Sequence, residues 1–147
     1  MAEGDDRPAA PAAVPLDRLS VETGTRAGYA VARLAGSVEL GNHEPLRERL
    51  VEALAGTRAA LIVDMAQVTF CDSSGLGVFA HLARRCRSDG KTLVVAGLRD
   101  RVAQVFQITG MLAFLYAEPT VPDAVAWLDG DRRRSRPPLQ AADRAPE

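Results

Sequence analysis

An α/β fold is predicted for this chain: one domain with a mixed, mostly parallel sheet of about five strands packed against about four helices. Three observations carry the prediction. A length of 147 residues, 47% of them hydrophobic and 25% charged, suits one domain able to bury a core without metals or disulfides. Segments with strand-like and helix-like periodicity alternate between Leu19 and Leu128. Residues 59–63 form an unbroken apolar run, the mark of a strand covered on both faces. Prolines gather towards the two ends, so residues 1–17 are expected to be a disordered extension, 18–129 the domain, and 130–147 a disordered basic tail carrying Arg132, Arg133 and Arg134.

Each element has its own justification. Residues 19–23 and 29–34 read as strands on either side of the turn 24–28, too close together for a crossover helix, so they are expected to pair as an antiparallel hairpin. Asn42 is a good N-cap and Pro45 is tolerated in a first turn. A helix with Leu46, Leu50, Val51 and Leu54 on its apolar face therefore runs to Gly56. After the buried strand 59–63, residues 74–88 carry Leu76, Phe79, Ala80, Ala83 and Cys86 at helical spacing, with Gly90 as the stop. Residues 92–96 are a second buried strand. Residues 99–109, with Val102, Val105 and Phe106 on one side, are a helix closed by Gly110. Residues 114–117 give a last short strand, and Pro122 opens a final helix through Trp127.

Charge and composition remove several classes of function. Eighteen Lys and Arg against nineteen Asp and Glu give a net charge of −1, so the field that would gather a nucleic acid or an anionic membrane is missing. The longest uncharged stretch, 102–117, is polar at several positions and shorter than the roughly 18–20 apolar residues of a spanning helix. The acidic N-terminal residues lack the apolar run of a secretory signal, and two cysteines cannot make a disulfide framework. A cytoplasmic protein with free thiols is the expectation.

The most informative segment is Val68-Thr69-Phe70-Cys71-Asp72-Ser73-Ser74-Gly75-Leu76-Gly77, where a loop leaves a buried strand and enters a helix. Ser73 is the natural N-cap, and strand ends that feed helices are where open α/β sheets meet ligands and partners. A phosphate on Ser73 would add a charge of about −1.5 to −2 at the positive end of the helix, tolerable for the fold. The same charge would stand beside Asp72 and spoil an interface built over the loop. Asp-Ser-Ser before a helix is equally a plain capping sequence.

Other chemistries fit less well. A hydrolase needs a base beside its nucleophile, and the two histidines, His43 and His81, fall in helices, without a G-x-S-x-G elbow around Ser73. Cys71 and Cys86 lack the companions of a zinc site and read as small buried hydrophobes, so no metal is expected. Gly75 and Gly77 lack the third glycine of a dinucleotide loop, and no cofactor is expected. Asp64 ends the central strand, where it either bonds loop amides or faces water.

The segment Phe70-Cys71-Asp72-Ser73-Ser74-Gly75-Leu76-Gly77-Val78 resembles the phosphoacceptor segment of the STAS-domain anti-sigma factor antagonists, in which D-S-[ST]-G-[LV] opens the helix after the central strand. Leu34-Ala35-Gly36-Ser37-Val38-Glu39 resembles that family's G-E-L-D turn, and Val105-Phe106-Gln107-Ile108-Thr109-Gly110-Met111 its helix ending in a T-G-[LM] corner. The likeness spans residues 19–128. It implies that Ser73 is the phosphorylated serine of a binding module that is not an enzyme. It also implies the partners: an anti-sigma factor that is a serine kinase, bound by the unphosphorylated form so that a sigma factor is freed, and a metal-dependent serine phosphatase that restores the module. A STAS scaffold or small-ligand subunit of a stress-signalling or transport complex is the alternative. This chain departs from the family with Ser37 for a glutamate, Glu39 for an aspartate and Asn42 near a threonine. Glu39, Asn42, Asp72, Ser74 and Gly75 are the residues expected at the partner surface.

Overall fold

The computed structural model describes residues 12–134. Six strands form one sheet: β1 (Ala12–Leu16), β2 (Leu19–Arg26), β3 (Tyr29–Val38), β4 (Ala60–Cys71), β5 (Thr92–Ala96) and β6 (Tyr116–Glu118). They lie side by side in sequence order. The first three run antiparallel, and β3 to β6 run parallel. The parallel steps cross over through α1 (His43–Ala55), α2 (Ser73–Asp89) and α3 (Asp100–Ile108), the last followed by a 3-10 turn at Met111–Ala113; α4 (Val121–Arg134) is the last of the described elements. The predicted fold class holds, with one strand more than expected.

That strand is β1, in residues assigned from sequence to a disordered extension. It pairs with β2 from Ala12↔Thr23 to Leu16↔Leu19. An edge strand needs one hydrogen-bonding neighbour, and Leu16 packs partly against the core. Pro15, which cannot donate to a ladder, is tolerated at such an edge. The tight corner between β1 and β2 puts Arg18 at φ 63, and Gly36 at φ 121 lies so close to the Arg18 carbonyl that a side chain there would collide with backbone. At the other end, α4 runs past the expected boundary at 129 to Arg134. The remainder of the expected extension, residues 1–11, and of the expected tail, 135–147, lie outside the described residues.

Strand alternation divides the core in two. Leu61, Val63 and Met65 face α1, α2 and α3, meeting Leu46, Leu50, Phe79, Leu82 and Phe106. Ala60 and Ile62 face the opposite side, where α4 covers them with Val121, Ala124 and Leu128. The run 59–63 is thus covered on both faces, as expected, but the strand does not stop there. Two register shifts between β3 and β4 absorb extra residues and carry the strand on to Cys71. Asp64 is consequently mid-strand: its carboxylate accepts from the Ala66 amide at 3.0 Å and pairs with Arg33 at 3.2 Å. The extension of β4 brings residues 70–72 alongside the end of β3, and so builds the site.

Candidate functional site

Asp72, where β4 gives way to α2, organises the site. Its amide donates to the Val38 carbonyl at 3.1 Å, and its own carbonyl accepts the first helical bond from Leu76 at 2.9 Å. One carboxylate oxygen accepts from the Gly75 amide at 3.0 Å and the other from the Leu40 amide at 3.1 Å. Asp72, rather than Ser73, is therefore the N-cap, and Ser73 is the first residue of α2. An aspartate accepts through two oxygens and can cap the helix while holding a second loop, which a single hydroxyl cannot do as well. Ser73 is exposed and released from capping duty, and the amides of Ser73 and Ser74 have no acceptor within the helix.

Gly75, expected at the surface, is buried instead. A Cβ at this position would lie 2.7 Å from Val38 Cγ1 and 2.8 Å from Cys71 Sγ, so the glycine is what lets α2 start against the end of β3. Ser74 is partly exposed beside it.

The facing turn corrects two further expectations. Asn42 is fully buried and makes no side-chain cap bond to α1. Its amide oxygen accepts from the Glu39 amide at 3.0 Å, and its amide nitrogen donates to the carbonyls of Asp17 at 2.6 Å and Ser37 at 2.8 Å. The side chain is the internal frame of the turn and unavailable to a partner. Glu39 is also less prominent than expected, with its side chain 23% exposed and Arg18 at 3.9 Å. The projecting residue is Leu40, 71% exposed, and its neighbour across the Asp72 bridge is the loop preceded by Phe70, 45% exposed. Leu40 lies in the 37–42 turn expected at the partner surface but was not among the residues singled out from the sequence. Its place between a strand end and Gly41, outside either hydrophobic period, was the available sign. For Phe70 the sign was alternation, since Cys71 points inward.

The titratable groups nearby are arranged for structure. Burial, with the Asp72 charge adding to it, pushes the Cys71 thiol up to about 12, and burial likewise pushes Cys86 up to about 12, so both stay protonated at neutral pH. His43 is bonded through Nδ1 to the Leu40 carbonyl at 2.8 Å. Among the described residues no group of three or more His, Cys, Asp or Glu side chains is placed to hold a metal ion. What the arrangement offers is an exposed hydroxyl at the positive end of a helix, beside a fixed carboxylate and flanked by two exposed apolar side chains.

The family model described as "Mlab, STAS domain" matches residues 24–116, from the end of β2 into β6. The chain belongs to the STAS domain family. Among curated proteins, this STAS domain is 27% identical over 93 residues to the anti-sigma-B factor antagonist of Staphylococcus aureus strain NCTC 8325 / PS 47, covering 63% of this chain and 86% of that one. Its fold is shared with an anti-sigma factor antagonist from Mycobacterium paratuberculosis (TM-score 0.65, 21% identity, 76% of this chain and 94% of that chain). It is shared too with part of the murine Slc26a9 anion transporter (TM-score 0.64, 20% identity, 72% of this chain and 18% of that chain). Outside the matched segment lie β1 and α4. No described helix of this STAS domain is long and apolar enough to cross a membrane.

Proposed function

We propose that this STAS domain is an anti-sigma factor antagonist switched at Ser73. The unphosphorylated form binds an anti-sigma factor that is a serine kinase and so frees a sigma factor; phosphate on Ser73 ends the complex, and a metal-dependent serine phosphatase restores it. In this reading the protein is the kinase's substrate and not an enzyme. The observation that carries it is the exposed Ser73 at the first position of α2, with Asp72 as the cap and with Leu40, on the turn after β3, and Phe70, near the end of β4, exposed beside it. A hydroxyl needed for capping would be shielded; this one is free to be modified, and the unoccupied first-turn amides are suited to receive the phosphate. The similarity to the Staphylococcus aureus antagonist supports the same reading.

Incubation of the full chain with candidate anti-sigma kinases and ATP tests it. One phosphate is expected by intact mass, located on Ser73 by tandem mass spectrometry; modification of Ser74 with Ser73 untouched rejects the assignment. The apolar rim has its own test. Leu40→Ser is expected to leave folding stability within about 0.5 kcal/mol, because the side chain is exposed, while weakening the anti-sigma complex about tenfold. Unchanged affinity in surface binding kinetics would place Leu40 outside the interface.

A further inference from the structure

A second charged surface lies well away from Ser73. Helices α1 and α2 pack side by side, and between them runs an open groove of about 610 Å³ with Arg47 and Glu48 on one wall and His81 and Arg85 on the other. His81 is eight residues into α2 from Ser73, about 12 Å along the axis. Within the groove Arg49 and Glu52 pair with each other at 3.5 Å. Arg47, Arg84 and Arg85 have no ion-pair partner among the described residues. Partial burial and the fields of these three guanidiniums, one from α1 and two from α2, hold the His81 pKa below its ordinary value. Like charges gathered on facing helices gain nothing for the fold.

We propose that the α1–α2 groove is a docking surface for an acidic helical segment of a protein partner, engaged independently of the state of Ser73. Charge complementarity identifies the occupant. His81 and Arg85, at i and i+4, line one wall of the groove with Arg47 opposite, a spacing that carboxylates repeated along a second helix can meet. A free phosphate is a poorer fit. The lining comes from helix middles, whose amides are already used within the helices and are not available to cradle a phosphate. The surface does not rest on the sigma-factor reading, since none of its groups contacts Ser73 or Asp72.

The test uses the full chain, isotope-labelled, with a synthetic helical peptide bearing glutamates four residues apart, its glutamine counterpart, and inorganic phosphate. The glutamate peptide is expected to bind saturably and raise the His81 pKa, read from its imidazole resonances. Its affinity should fall when ionic strength rises from about 0.1 to about 1 M, which shortens the screening length from about 10 to about 3 Å. The double variant Arg47→Gln, Arg85→Gln is expected to weaken it about tenfold, and both positions are exposed, so folding should persist. Ser73→Asp should leave it unchanged. Equal binding by the glutamine peptide, equal binding by the double variant, or a His81 response to phosphate but not to peptide would each overturn the proposal. Loss of peptide binding in Ser73→Asp would overturn its independence from the switch.

Discussion

Replacing Ser73 by aspartate is expected to weaken the anti-sigma factor complex by more than about a hundredfold while leaving unfolding cooperative and stability within about 1 kcal/mol of the parent. The two halves of this result have different origins. For the fold, a carboxylate at the first position of α2 meets the positive end of the helix, an interaction worth about 0.3–1 kcal/mol that offsets its repulsion from Asp72. For the complex, the same carboxylate has to be covered by the partner without a counter-charge on this chain. An unpaired buried charge costs about 3–5 kcal/mol, and about 2.7 kcal/mol is already a hundredfold in Kd. Ser73→Ala, by contrast, is expected to fold and bind almost as the parent does, because Asp72 supplies the cap. Surface binding kinetics together with urea unfolding separate the halves. An aspartate variant that binds like the parent would move the switch to another residue.

Asn42→Ala is expected to cost about 2–4 kcal/mol of folding stability, a large share of what a domain of this size possesses. The side chain is fully buried, and its removal strands the Glu39 amide and takes a donor from the carbonyls of Asp17 and Ser37. Each buried group left unsatisfied costs about 1–3 kcal/mol. Asn42→Asp tests the same account isosterically, since it keeps the acceptor towards Glu39 and turns the donor into a second acceptor facing two carbonyls. Both variants should lower the urea midpoint. A loss below about 1 kcal/mol in Asn42→Ala would mean that the turn is framed by its backbone alone.

Asn42 also marks the boundary of what a sequence reveals. The hairpin, the crossovers and the run 59–63 were legible because side-chain period separates strand from helix, and because a strand with two covered faces has no polar alternation to hide it. Residue type at 42, 72 and 75 was legible as motif, but the direction of each side chain was not. An asparagine that caps a helix and one that laces a turn together carry the same amide; the difference is the fold around it, which brings the carbonyls of Asp17 and Ser37 within its reach. Gly75 was expected at the partner surface and proved to be a close approach to Val38, a fact that depends on the length of β4. The strand β1 was hidden for a plainer reason, because five residues including alanine and proline have too little hydrophobic contrast to announce an edge.

The sequential strand order has a consequence for how the molecule is made. Each strand of the sheet lies beside the one translated before it, so a chain emerging from the ribosome can add strands one at a time to a growing edge, without waiting for a distant segment to return. The face bearing Ala60, Ile62, Val94 and Ala96 is the exception, since its cover is α4, which begins at Val121. Until that helix is synthesised, the nascent sheet presents an apolar plane to the cell. Helix α4 is therefore the one that makes the protein safe to release, and a transcript truncated before it would encode a sticky product.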